Sequence, residues 1–242
     1  MNPRLLISVR DVNEARVALA AGADLIDLKE PDAGALGAVD SRVARDIVKA
    51  IAGCRRTSAT VGDLPADAAI LARAARRTAS AGVDFVKIGF MPTPGVDVCA
   101  VICALAPVAA KVPLIAVLFA DAMPEGDLVT AASAAGFAGV MLDTAVKGVG
   151  RLLDHVDVFG LAEFIASARG NGLICGLAGS LRREDISQLA MLAPDYLGFR
   201  GAACIENRRG AELDAGRVAL LRQTLDGTAA RPAPVGSLVP VG

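Results

Sequence analysis

Leu25-Ile26-Asp27-Leu28-Lys29-Glu30-Pro31 alternates apolar residues with Asp27 and Lys29 and stops at a proline. A period of two is the pattern of a β-strand, whose successive side chains point to opposite faces. Asp27 and Lys29, two apart, share a face near the strand's C-terminal end. A carboxylate and an amine on one wall of an apolar strand carry a desolvation penalty unless they pair or do chemistry. Two readings follow: a buried ion pair joining strands, or the wall of an active site. Lys87 in Phe85-Val86-Lys87-Ile88-Gly89 and Asp143 in Val140-Met141-Leu142-Asp143 repeat the placement. Three such placements favour the second reading.

Outward from this stretch, Leu5–Val9 is a short strand followed by a helix from about Asp11 to Ala21. Asp11 is placed to cap that helix, with Glu14 as reciprocal partner in a capping box, and Gly22 ends it. A glycine-rich loop, 31–38, leads to a helix at about 41–52. Further strands are expected at Thr57–Gly62, Asp84–Phe90, Pro113–Phe119, Gly139–Asp143, Leu173–Leu177 and Tyr196–Arg200. Helices are expected at Asp67–Ala81, ending near Ala110, at about Gly126–Ala135, Asp154–Arg169, Arg182–Ala193 and Asp214–Thr224. Eight strand-then-helix units are the number that closes a single-domain (β/α)8 TIM barrel. Ala-Gly pieces at Ala21, Ala81 and Ala135 mark recurrent helix-to-strand turns. A doubly wound open sheet is the second choice, weakened because no GxGxxG follows the first strand. The barrel is expected over 1–227, and 228–242 is expected to be a flexible tail.

Of the 242 residues 54% are hydrophobic and only 3% aromatic, without tryptophan. A large core is therefore available, while nucleic-acid stacking surfaces and aromatic peptide grooves are not. The formal net charge of −1 leaves no electrostatic footprint for nucleic acid. No apolar run is long enough for a membrane span and no leader pattern precedes Leu5, so a cytoplasmic protein is expected. Cys54, Cys99, Cys103, Cys175 and Cys204 form no CxxC pair and read as reduced thiols. With His155 the single histidine, a histidine-based metal site is disfavoured, and no metal is expected. Alanine-rich outer helices are compatible with a homo-oligomer.

Barrels of this kind build their sites at the C-terminal ends of the strands, where Asp27, Lys29, Lys87 and Asp143 all fall. Leu25, Phe85 and Met141, two residues earlier, give three of them inward parity. Lys147 lies four residues beyond Asp143 in the following loop. A lysine amine is a poor nucleophile at its free pKa of roughly 10.4. Desolvation or a second cation lowers that value and frees the amine to attack a carbonyl. A neighbouring carboxylate can then move protons through carbinolamine, imine and enamine stages. A phosphate site is expected in the loops after strands seven and eight, at Gly176, Gly179, Ser180, Gly201 and Ala202, where small residues let backbone N–H groups approach an anion. Gly34 and Gly37 are weaker candidates for contacting a substrate or a second phosphate. Asp63 and Arg200 stand at strand ends with undetermined direction. Arg182 and Arg183 read as a solvated face, and His155 as a cap or surface contact.

The pieces Leu5–Asp11, Gly22–Pro31, Gly34–Ala38, Ser58–Pro65, Val86–Gly89, Leu142–Lys147, Gly176–Ser180 and Gly198–Gly201 run in order through nearly the whole chain. Together they resemble the (5-formylfuran-3-yl)methyl phosphate synthases. The resemblance implies a TIM-barrel enzyme that condenses two glyceraldehyde-3-phosphates to a furan aldehyde phosphate, releasing phosphate and water, for methanofuran-type cofactors. It implies Lys29 as Schiff-base former, with Asp27, Lys87, Asp143 and Lys147 as further catalytic residues, and counts Ser8 among the substrate contacts. No cofactor is implied, since the imine is the electron sink. The competing readings are another class I aldolase or phosphosugar isomerase on the same barrel, and a phosphometabolite-binding protein without turnover.

Overall fold

The computed structural model describes residues 2–229. Eight parallel strands close into a barrel in sequence order: β1 (Arg4–Val9), β2 (Leu25–Leu28), β3 (Arg56–Thr60), β4 (Phe85–Phe90), β5 (Leu114–Phe119), β6 (Gly139–Asp143), β7 (Ile174–Leu177) and β8 (Tyr196–Phe199). Closure is made by β1 against β8, with Leu6 level with Gly198 and Ile7 with Phe199. Ten helices surround it: α1 (Val12–Ala20), α2 (Ser41–Ile51), α3 (Ala68–Ala79), α4 (Val98–Ala104), α5 (Ala106–Ala109), α6 (Leu128–Ala134), α7 (Leu152–His155), α8 (Val158–Gly170), α9 (Ile186–Met191) and α10 (Ala215–Ala229).

The period-two pattern separates two cores. Leu5, Ile7, Val9, Ile26, Leu28 and Ile88 face outward and pack beneath the helices. Leu6, Leu25, Ile115, Val117, Met141 and Tyr196, of the opposite parity, fill the barrel interior with Phe85 against them. Removing each fully buried leucine or isoleucine side chain from water stabilises the fold by about 1.5–3 kcal/mol. This register decides where function lies, because it turns Asp27, Lys87 and Asp143 inward above Leu25, Phe85 and Met141.

The recurrent Ala-Gly turns have a common geometry. Gly22, Gly82 and Gly136 have positive φ (95°, 88° and 76°), the backbone that ends a helix and reverses into a strand. After two of these glycines an aspartate ties the next strand to its predecessor: Asp24 accepts from Leu5 N at 2.8 Å and Asp84 from Thr57 N at 2.8 Å. Asp195, before β8, accepts likewise from Cys175 N at 2.7 Å.

Three expected helices are divided. The one ending near Ala110 breaks at Leu105 into α4 and α5, where Pro107 removes a backbone donor. The one over Asp154–Arg169 breaks at Val156, whose backbone is extended, and Asp157 caps a new helix by accepting from Gly160 N. The one over Arg182–Ala193 begins as a 3-10 turn, Arg183–Asp185. Asp11 caps α1 through Glu14 N at 2.9 Å, but Glu14 does not complete a capping box. Its carboxylate accepts from Arg10 N at 3.0 Å and is claimed by Arg200. The last helix runs to Ala229, five residues past its expected end and two into the expected tail, whose remainder, 230–242, lies outside the described residues.

No described helix is long and apolar enough to cross a membrane, and all five cysteines are free thiols.

Candidate active site

β2 delivers both charged residues of the opening stretch to the mouth, and each finds a partner on a different strand. Asp27 is fully buried. It accepts from Ser58 Oγ on β3 at 2.6 Å and Ser8 Oγ on β1 at 2.9 Å, and pairs with Lys87 Nζ on β4 at 3.0 Å. Lys29, also buried, stands 3.5 Å from Asp143 Oδ2 on β6. The other oxygen of Asp143 takes Lys147 Nζ at 2.6 Å and Thr144 N at 2.7 Å. Asp27 and Lys29 are therefore not each other's partners; each pairs with a residue of another strand. Three lysine amines and two carboxylates converge.

Burial alone would raise the Asp27 carboxyl, but Lys87 first and Lys29 next, with the Ser58 hydroxyl, hold it below the ordinary value. Burial opposes ionisation of Asp143 too. Lys147 and Lys29 outweigh it and keep that carboxyl far below the usual range. Lys147 moves the other way to an ordinary buried ion pair: desolvation pushes its amine down, Asp143 opposes, and Lys29 and Arg209 add to the fall. Lys147 is thus an amine of depressed pKa whose charge is felt beside Lys29. Lys87 belongs to Asp27.

Above these groups lies a cavity of about 1410 Å³. Its walls carry ten lysine and arginine side chains against four aspartate and glutamate side chains, so a chain that is nearly neutral overall concentrates positive charge at one end. Ser8, Gly179, Ser180, Gly201 and Ala202 line this cavity. Gly179 and Ser180 form a turn with positive φ (107° and 52°), and Gly201–Ala203 a 3-10 turn beside it. Gly176 does not line it. It packs inside the barrel against Met141, whose Cε would lie 2.5 Å from a Cβ at that position, so its role is to admit that side chain. Arg182 and Arg183 are exposed, as a solvated face requires, and also stand at the cavity rim.

The remaining strand-end residues hold loops. Asp63 accepts from Ala35 N (2.7 Å) and Leu36 N (2.9 Å), fixing the glycine-rich loop after β2. Asp121, after β5, does the same for the Lys147 loop through Ala145 N (2.6 Å) and Val146 N (2.8 Å). Arg200 is buried against Glu14 and donates to the carbonyls of Ser8, Arg209 and Ala211. Ser58, Asp121 and Arg209 were not singled out by the sequence. Ser58 had the inward parity that would have revealed it; Asp121 and Arg209 had no periodic signal. Among the described residues, no group of three His, Cys, Asp or Glu side chains is arranged to hold a metal ion.

A closed (β/α)8 barrel with buried lysines and carboxylates at the C-terminal mouth defines a barrel of the enzyme class. A solved structure of 3-hexulose-6-phosphate synthase from Salmonella typhimurium has the same fold, with a TM-score of 0.65 and 15% identity, covering 93% of this chain and 99% of that one. The 4-HFC-P synthase family model matches residues 5–222, and the chain belongs to that family. It is 37% identical over 223 residues to the (5-formylfuran-3-yl)methyl phosphate synthase of Methanopyrus kandleri, covering 87% of this chain and 94% of the relative. A relative in Methylorubrum extorquens that carries the same name provisionally is 46% identical over 219 residues, covering 90% and 89%.

Proposed function

We propose that this protein is a (5-formylfuran-3-yl)methyl phosphate synthase that condenses two glyceraldehyde-3-phosphates through an imine on Lys29, a lyase reaction feeding methanofuran-type cofactor synthesis. The observation that carries the reading is the Lys29 amine, which lies under a cationic cavity and is held by its carboxylate at only 3.5 Å. It is the least committed of the three amines, since Lys87 and Lys147 sit at 3.0 Å and 2.6 Å from their carboxylates. The family name of the relatives supports the product.

In this mechanism Lys29 Nζ adds to the aldehyde of one triose phosphate, and loss of water gives the imine. Lys147 and Asp143 act as the adjoining proton relay. An ammonium whose pKa is pushed down is a better acid, and it protonates the departing hydroxyl. Asp143 accepts the proton whose removal gives the enamine. Asp27, locked by Ser8, Ser58 and Lys87, holds the charge of Lys87 in place and is not the first choice as base. Phosphate leaves by elimination, the carbon nucleophile adds to the second aldehyde, and ring closure with dehydration gives the furan. The cavity exceeds the roughly 300–1,000 Å³ of ordinary ligand pockets, as two substrates require.

The test is incubation of the pure protein with glyceraldehyde-3-phosphate alone, with products identified by mass spectrometry and furan absorbance. Borohydride should add the mass of a reduced triose phosphate to Lys29, and Lys29→Arg should abolish both readouts. Furan formation by Lys29→Arg would remove the imine; a product from one triose and a different aldehyde would favour another class I aldolase. Reversible binding with neither product nor trapping would favour a binding protein.

A further inference from the structure

We propose that Arg209 is a second anion-binding residue, gripping the phosphate of whichever substrate does not occupy the turns after β7 and β8. The inference rests on the two-substrate reading above, but its geometry stands on its own. Arg209 belongs to the loop after β8, yet its guanidinium crosses over β1 and donates through Nη2 to the carbonyl of Gly34, in the loop after β2, at 2.8 Å. The guanidinium thus stands over the loop after β2, whereas the backbone turns at Gly179, Ser180, Gly201 and Ala202 follow β7 and β8 on the same cavity.

Both ends of this bridge are fastened. On the β8 side, Arg200 donates to the Arg209 carbonyl at 2.8 Å and Arg10 to the Gly210 carbonyl at 3.0 Å. On the β2 side, Asp63 fixes the two residues after Gly34. A half-buried cation on a fixed backbone is a built feature, unlike a mobile surface arginine. Lys29, Lys87, Lys147, Arg151 and Arg200 all have carboxylates within 4 Å, whereas Arg209, like Arg182 and Arg217 on the same cavity, has none among the described residues. Its one hydrogen bond leaves the rest of the fork free, which suits bidentate phosphate recognition. Desolvation pushes its pKa down, with Asp143 the first opposing charge, so the guanidinium feels the reacting cluster and gains from an anion placed beside it.

The experiment titrates the protein with inorganic phosphate by calorimetry, in the wild type, Arg209→Gln and Arg209→Lys, with thermal midpoints confirming folded protein. The expected result is two phosphates bound by the wild type, one by Arg209→Gln, and a second, weaker one regained in Arg209→Lys. With glyceraldehyde-3-phosphate, KM should rise on the order of tenfold to a hundredfold in Arg209→Gln, as loss of a charged hydrogen-bonding pair implies. Borohydride labelling of Lys29 should persist. One phosphate on the wild type, an unchanged second site in Arg209→Gln, or loss of Lys29 labelling in that variant would each overturn the proposal. If the wild type binds two phosphates and Arg209→Gln one, but Lys29 is never labelled, the anion site stands and the imine reading fails.

Discussion

Lys29 Nζ stands 3.5 Å from Asp143 Oδ2 although β2 and β6 lie opposite each other in the barrel. The contact spans the mouth, and Asp143 divides its oxygens between this lysine and Lys147. Replacing it by asparagine leaves two ammonium groups facing each other without a counter-charge.

Asp143→Asn is therefore expected to lower the unfolding free energy by about 3–5 kcal/mol at pH 7, the usual effect of breaking a buried ion pair. The folded-state carboxyl pKa is depressed, so its stabilisation is complete above the unfolded value of roughly 3.9 and is lost as pH falls towards the folded one. The gap between wild type and variant should stay constant from neutrality to about pH 5, then narrow by about 1.4 kcal/mol per unit below pH 4. Denaturant melts at several pH values measure this. A gap equally wide at pH 3 and pH 7 would contradict it.

Asp27 and Lys87 should behave as one unit. Asp27→Asn strands a buried ammonium, and Lys87→Met strands a buried carboxylate with only Ser8 and Ser58 to support it. Each change is expected to cost about 3–5 kcal/mol, while the double variant should lose much less than the sum. A double-mutant cycle with additive losses would mean the pair is not coupled.

Much of this was legible beforehand, for a physical reason. Strand parity is local, so Leu25, Phe85 and Met141 were enough to turn Asp27, Lys87 and Asp143 inward, and the count of eight units was enough to close the barrel. Pairing is not local. Asp27 and Lys29 look like partners in sequence, but each pairs with a residue of a strand whose position only closure fixes. Gly176 misleads for a similar reason: a glycine that admits Met141 and a glycine that admits phosphate are the same letter. Glu14 fits a capping box until Arg200, 186 residues away, claims it.

Asp121 illustrates function carried by a loop holder. Its two accepted N–H groups fix Ala145 and Val146, just before Lys147 turns back to Asp143. Asp121→Asn keeps the size but presents an amide to one of those donors. We expect about 1–3 kcal/mol less stability, with kcat reduced at least tenfold and KM for glyceraldehyde-3-phosphate within about threefold, since Asp121 touches no part of the cavity. Steady-state kinetics separate the two parameters; an effect confined to KM would show that the loop serves binding and not proton transfer.

Gly34 joins two of these arguments, because the same residue admits Asp63 and receives Arg209. Its φ of 112° lies where side chains are strained, and a Cβ there would sit 2.0 Å from Asp63 Oδ2. Gly34→Ala should cost about 1–3 kcal/mol for the backbone alone, and more for displacing the carboxylate from Ala35 N and Leu36 N. Asp63→Ala should lose only those hydrogen bonds. With the carboxylate absent the clash disappears, so the double variant is expected to fall at least about 1 kcal/mol short of additivity. Thermal or denaturant unfolding of the four proteins gives the coupling directly. Strict additivity would mean that the loop relaxes around the new methyl group, and that Asp63 does not require a glycine at position 34.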